Sequence, residues 1–406
     1  MNDSHFATLL TLYMRRIRAS AAGVAAEIGL SREAVNNWRN GVSLPNPRSR
    51  DRLLACARYL RLTETETNHL CVAAGFAPEF PLFAAAVAET PFASFIDGVF
   101  EQLDRLSPYP VAMLLSQAHW GQPPFRAEIL LRAAAIYGEQ AVLHIQPPYS
   151  VSTASADYFA ALGRQCGFEG VGSDYEFEAA LERRLIGGER LFCMVSRFEQ
   201  GTPALRETLA GILRSLSEMH GRRLHLLLCG GETLADLKYR AGDLSLLNIA
   251  QVDYWPELTR DDLAALAHRR WPGRPFDDAL LDCLMRCCGG HPALIEEGLA
   301  WLAEHGPGFD AQMEAALHAH LARSARLWQA FVPVVADDAA RARLSELLRA
   351  PDLGRARPYL QDADLRRLFW SNLVCVRGQG DDARLHWRCA VVRDAGLQVL
   401  ESCAEA

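Results

Sequence analysis

AAGVAAEIGLSREAVNNWRNG, residues 21–41, is the stretch from which the organisation of this chain is read. Ala21 to Ile28 reads as a short helix, followed by Gly29 and Leu30. Ser31 is a good N-cap, its hydroxyl oxygen able to accept from the first free amides of a following helix, Ser31 to Arg39. Asn40-Gly41 then reads as a left-handed close. Val24, Ala25, Ile28, Leu30, Val35 and Trp38 supply a small apolar core for the pair. Upstream, Phe6, Leu9, Leu10, Tyr13, Met14 and Ile17 recur at helical spacing and predict a helix over Phe6 to Arg18. Downstream, the linker Ser43 to Pro47 cannot continue a helix. Two further helices are expected at Arg50 to Leu60 and Thr63 to Ala74. Two short helices joined by a turn that contains a glycine form the helix-turn-helix pattern.

With its LSREAV start and WRNG ending, the stretch resembles the Cro-like, xenobiotic-response-element family of repressors, over about the first 75 residues. That resemblance implies that the third helix lies in the major groove of duplex DNA. It places Ser31, Arg32 and Asn36 toward base edges, and Asn37 and Arg39 nearer phosphates. The chemistry suits those roles: Arg forks onto guanine, Asn pairs with adenine, and a cation neutralises phosphate. In one respect the sequence departs from the family, which usually opens its second helix with a polar phosphate-holding residue. Here Ala21-Ala22 stand, leaving Ser20 as the substitute. The competing reading of the same residues is a helical bundle used for protein contacts.

Charge is distributed to match the first reading. The first 75 residues carry ten arginines against six acidic residues, while the whole chain has a formal net charge of −7. A small basic module ahead of an acidic body is expected when only the first part meets nucleic acid. Composition is otherwise that of a globular protein, 50% hydrophobic and 22% charged. No apolar run reaches membrane-spanning length, and Met1 to Leu12 lack the basic start of a signal peptide. A cytoplasmic protein is expected. The eleven cysteines are scattered and odd in number, as for reduced, buried thiols rather than a disulfide framework.

From about Pro91 strands alternate with helices: strands at Val111 to Leu115, Ala141 to Ile145, Leu191 to Val195 and Leu224 to Cys229, with helices at Arg126 to Ala135, Ala156 to Cys166, Phe177 to Leu185 and Leu205 to Met219. Continuous apolar strands in such an order imply a parallel sheet covered on both faces. The order resembles the AAA-like domains of signal-transduction (STAND) ATPases over roughly residues 91–305. The carriers are the strand-loop-helix at 111–135, LFCMVSRFEQGTPALRETLAGILRSL at 191–216, RLHLLLCGG at 223–231 and CCGGHPALIEEGL at 287–299. By that resemblance the body is P-loop-NTPase-like, with a phosphate-binding loop after the first strand, a magnesium-holding third strand, and a Gly-x-Pro turn at Gly290-His291-Pro292 opening a lid helix.

The chemistry that this layout needs is missing. A phosphate-binding loop wraps phosphates with glycine amides, meets their charge with Lys and holds Mg²⁺ through Ser or Thr. Gly121-Gln122-Pro123-Pro124-Phe125 offers no Lys and no hydroxyl. The third strand runs into Val195-Ser196-Arg197-Phe198-Glu199, where Glu199 is the one acid and Arg197 opposes a metal. Hydrolysis is not expected, so the body reads as a pseudo-ATPase with no cofactor and no catalytic residues.

Cys283, Cys287, Cys288 and His291 would bring four ligand types within nine residues. Only Cys283 and Cys287 share a helical face, however, and no C-x-x-C spacing occurs. A helix end, broken at Gly289-Gly290 and restarted at Pro292, is the expectation, with no metal. Glu176, Glu178 and Glu182 read as a solvated helix face, and His318 and His320 as surface. Helices at about 326–332, 338–348 and 362–368, followed by two short strands, Leu373 to Arg377 and Arg384 to Arg388, around GQGDDA, read as a winged helix.

The expected architecture is multidomain: an all-α helix-turn-helix head over 1–78, a degenerate α/β body over 91–250, a helical lid over 251–322 and a winged-helix-like end over 323–406. The expected function is a sequence-specific DNA-binding transcription regulator that dimerises on a two-fold site or senses a signal. Its partners would be double-stranded DNA, a second copy of the chain and a protein. The alternative is a nucleotide-dependent STAND-type switch or scaffold in phage defence or transposition.

Overall fold

The computed structural model describes residues 3–17, 19–46, 49–62, 64–76, 79, 91–119, 123–241, 244–270, 276–305 and 310–405. Arg18, Pro47, Thr63 and the Gly121-Gln122 dipeptide, all singled out above, lie outside the described residues, as does the stretch 80–90. The chain divides into two compact units, one of residues 1–85 with 129–196 and the other of 86–128 with 197–406.

In the first unit the N-terminal helices run Asp3–Arg16, Ala21–Ile28, Arg32–Arg39, Arg50–Tyr59 and Glu64–Ala73. Helix Ala21–Ile28 starts where the Ser20 hydroxyl accepts from the Gly23 amide. It stops at Gly29, whose φ of 64° is a left-handed conformation that a residue with a Cβ adopts only at a cost. Ser31 repeats the device, its hydroxyl accepting from the Ala34 amide at 3.1 Å. The predicted core forms: Val24, Ala25, Ile28, Val35 and Trp38 are buried, Leu30 packs against them, and Phe6 meets Trp38 edge-on at 6.2 Å. Close approach is built in at Gly23, where a Cβ would come within 2.8 Å of the Tyr59 hydroxyl. Arg16 ties the first helix to the fifth through Glu66 at 2.6 Å.

The strands are β1 Val111–Leu115, β2 Val142–Ile145, β3 Leu191–Ser196, β4 Leu224–Gly230 and β5 Gln251–Tyr254; β2 pairs with β3 in the first unit, and β4, β1 and β5 lie side by side in that order in the second. The paired strands run parallel, Ala112 standing opposite Leu227 on one side and Gln251 on the other, and Val142 opposite Phe192. Every residue of β1 and β3 is buried, the signature of strands covered on both faces. Within the second unit β1 lies between β4 and β5, so that the strand order turns back on itself there. Loops at the carboxyl ends of strands beside such a reversal are where open α/β sheets bind ligands.

One boundary and one strand differ from expectation for a physical reason. The helix after β1 spans Pro123–Tyr137, three residues earlier than predicted. Proline is compatible with the first turn of a helix, where its missing amide would be unpaired in any case. The strand β5 was not anticipated, because Gln251-Val-Asp-Tyr254 has a single strongly apolar residue and half-buried sides.

The second unit continues with helices Asp278–Cys288 and Pro292–His305, separated at Gly289 with φ 56° as the spacing implied. Helices Ala325–Phe331, Asp338–Arg349 and Ala363–Trp370 follow, then the antiparallel pair β6 Val374–Arg377 and β7 Arg384–Trp387. A final helix, Ala390–Glu405, went unforeseen. Among the described residues no helix is long and apolar enough to cross a membrane.

Candidate functional site

On helix Arg32–Arg39 the buried pair Val35 and Trp38 holds one face inward, which leaves Arg32, Glu33, Asn36 and Asn37 on the opposite side. Ser31, Arg32 and Arg39 are exposed, and Asn36 and Asn37 are half-buried. The Ser31 oxygen accepts the capping bond from Ala34, and its hydroxyl proton remains for a partner. Residue spacing alone overlooked Glu33. It is exposed beside Arg32, and its carboxylate repels phosphate while suiting an amino group such as that of cytosine.

Two amides at the start of the loop after β1 are spent within the protein: Ser116 N–H donates to the Gly230 carbonyl at 2.9 Å and Ala118 N–H to that of Trp370 at 2.8 Å. Gln117 is buried, and its Nε2 donates to the carbonyls of Phe369 at 2.6 Å and Val374 at 2.9 Å. The Ala118 carbonyl accepts from Asn372 Nδ2 at 2.8 Å.

Arg388 closes the arrangement. Fully buried, it donates from Nε to the Asn372 carbonyl at 3.1 Å, from Nη1 to Glu257 Oε2 and the Gly289 carbonyl, and from Nη2 to Gln117 Oε1 at 2.9 Å and Glu257 Oε1 at 3.1 Å. These five bonds match the five donors of a guanidinium, so no N–H of this cation is left over for a phosphate. The joint is tight: a Cβ on Gly289 would come within 2.6 Å of the Arg388 carbonyl oxygen. His119 lies 5.2 Å from His291, ring to ring. Burial, followed by the Arg388 charge, holds His291 well below the ordinary imidazole range. Its Nδ1 accepts from the Leu294 amide at 3.3 Å, capping helix Pro292–His305.

The end of β3 is occupied by a buried polar pair. Ser196 is buried and its hydroxyl pairs with His144 Nε2 at 2.7 Å. Arg197, next in the chain, is exposed with φ 61°, and the Glu199 carbonyl accepts from Arg206 at 2.7 Å.

Of the four candidate metal ligands, the structure brings together two. Cys283 and Cys287 lie with their sulfurs 3.9 Å apart, and Glu314 completes a group whose donor atoms fall within 4.8 Å of one another. Cys288 and His291 are elsewhere. Arg286 already holds Glu314 through two contacts of 3.2 and 3.1 Å. All eleven cysteines are free and none is exposed. His318 and His320 are partnered rather than bare, with Asp394 at 2.7 Å and Glu297 at 3.5 Å.

No family model matches the sequence, and no curated protein sequence does. Solved structures with similar folds include a Walker-type ATPase of Pyrococcus abyssi, at 12% identity and a TM-score of 0.48 over 78% of this chain and 99% of that one. The ORC2 protein of Aeropyrum pernix matches at 11% identity and 0.42 over 79% and 98%. Cdc6p of Pyrobaculum aerophilum matches at 13% and 0.38 over 79% and 97%. At these levels the likeness carries nothing about the chemistry of this chain.

Proposed function

We propose that this chain is a sequence-specific binder of double-stranded DNA, with a helix-turn-helix head and a body that serves as a non-hydrolysing scaffold. The observation that carries the reading is helix Arg32–Arg39, capped by Ser31, which buries Val35 and Trp38 and turns Arg32, Asn36 and Asn37 outward. Those are the side-chain types that read guanine and adenine edges in the major groove, on the part of the chain with a basic excess. Arg39 supplies a phosphate contact, and pairing of two chains would align two heads on a two-fold site. Transcription regulation is one use of such an arrangement, with the C-terminal helices and β6–β7 as a winged-helix-like closing element. The body takes no catalytic part in this reading, which is supported by the engagement of the Ser116 and Ala118 amides and of all five Arg388 donors by protein groups.

A second reading, a nucleotide-dependent scaffold, is favoured by one feature: the loop after β1 sits at the reversal of strand order, where ligands bind in open α/β sheets. The deciding experiments are selection of bound sequences from a random duplex pool with the full chain, and calorimetric titration with ATP and Mg²⁺. Enrichment of a motif with salt-dependent binding supports the first reading. Failure to enrich any motif overturns it, and tight magnesium-dependent ATP binding favours the second.

A further inference from the structure

A cavity of about 350 Å³ opens in the second unit, reaching the start of the loop after β1 at Gln117. Its floor is the carboxyl end of two adjacent parallel strands, Leu115 closing β1 and Tyr254 closing β5. The Trp255 amide stitches them together by donating to the Leu115 carbonyl at 2.8 Å. The opposite wall comes from residues 356–360, the end of helix Ala363–Trp370, and the β6–β7 pair.

Lining groups divide sharply by chemistry. Tyr254, Phe369 and Trp370 present rings that brace one another, Tyr254 edge-on to Phe369 at 6.1 Å and stacked with Trp370 at 6.3 Å. The Tyr254 hydroxyl is spent on the Pro358 carbonyl at 2.9 Å. Two charged residues reach the cavity. Glu257 is neutralised by Arg388 in a two-armed contact. Arg357 is exposed on the rim and makes no ion pair among the described residues. The space therefore offers flat apolar walls, one compensated acid and one uncompensated cation.

We propose that this cavity binds a small planar aromatic ligand carrying a carboxylate, with the ring against Tyr254 and Trp370 and the carboxylate at Arg357. The volume lies near the lower end for small-molecule sites, enough for two fused rings and too small for a nucleoside triphosphate. Position and composition agree, since such sites form at the carboxyl ends of parallel strands beside a reversal of strand order and are mostly apolar with a few fixed polar groups. An arginine fork matches a carboxylate in geometry as well as charge. The proposal stands independently of what the head binds.

Calorimetric titration of the full chain with three probes of one shape tests it: 2-naphthoate, 2-naphthylmethylammonium and 2-naphthalenemethanol. The expected result is that the acid binds at least tenfold tighter than the ammonium, with the alcohol between. Arg357→Glu, at an exposed position, reverses that order. Val376→Trp, which adds bulk at a lining position that is 37% exposed, abolishes binding of all three while leaving the melting temperature near that of the parent. Absence of 2-naphthoate binding, equal binding of acid and ammonium, an unchanged order in Arg357→Glu or undiminished binding in Val376→Trp would each overturn the proposal.

Discussion

Arg388 and Glu257, 131 positions apart in the chain, meet in a two-armed ion pair whose arginine is buried and whose glutamate side chain is 47% exposed. The asymmetry decides what each partner contributes. Glu257 can hydrate if its mate is lost, whereas the buried Asn372 carbonyl and Gln117 amide oxygen cannot.

Arg388→Met should therefore cost about 3 kcal/mol, because several buried acceptors lose their donor together. Glu257→Gln should cost a similar amount, because it leaves a buried guanidinium without its counter-charge. Urea unfolding with both variants checks this. A loss below about 1 kcal/mol for Glu257→Gln alone would mean that the set of carbonyl contacts, rather than the ion pair, dominates.

His291 gives a pH dependence of fixed sign. Burial keeps its folded pKa well below the ordinary value, and its Nδ1 must stay unprotonated to accept from Leu294. The unfolded chain takes up a proton as pH falls through about 6.5 while the folded chain does not. Stability from this group is thus complete above that value and declines below it, by up to about 1.4 kcal/mol per pH unit. Melting temperatures of the parent should fall between pH 7 and 5, and those of His291→Asn should fall less. Parallel curves for the two proteins would remove His291 from the account.

On the head, Arg32→Ala and Asn36→Ala should each weaken a selected site by about 1–3 kcal/mol and relax base preference at one position. Arg39→Ala should weaken all sequences about equally. Glu33→Gln should tighten binding to unrelated sequences by removing a negative charge from the outer face. If Arg32 and Asn36 variants keep the parental sequence preference, that helix does not read bases.

Purified protein should show no magnesium-dependent ATP hydrolysis. Each charge-assisted phosphate contact missing from the loop is worth about 1.5–3 kcal/mol. Pro123→Lys alone should not restore turnover, since no acid closes β3. Steady hydrolysis abolished by Glu199→Gln would reveal a rearranged active site.

EDTA should leave the melting temperature unchanged. Two thiols and one carboxylate form the only such group among the described residues, and Arg286 already occupies the carboxylate. One zinc per chain by elemental analysis would contradict this.

Elements governed by local chemistry were legible in the sequence. Ser31 as a cap, Gly29 and Gly289 as helix stops, and the apolar run of β1 are decided by residues within a few positions of one another. What escaped was set by distant partners. Gln251-Val-Asp-Tyr254 becomes a strand because β1 offers it an edge, not because of its own pattern. Arg388 looked like the end of an ordinary hairpin strand. Nothing in His386-Trp-Arg-Cys389 announces an arginine that gathers Gln117, Glu257 and Gly289. The aromatic cavity was equally hidden, since Tyr254 and the pair Phe369-Trp370 come from two separate stretches of chain. Glu33 was in plain view, and only the outward face of the folded helix gives it weight.

The hydrogen bonds of Gln117 to Phe369 and Val374, across 252 and 257 positions, set an order of events during synthesis. A ribosome delivers β1 long before the residues that hold the loop after it. Until the segment through Arg388 has emerged, the Gln117 side chain and the Ala118 amide have only water as a partner. The second unit therefore completes its interior late, and a nascent chain arrested before residue 369 carries an open seam at the carboxyl end of β1.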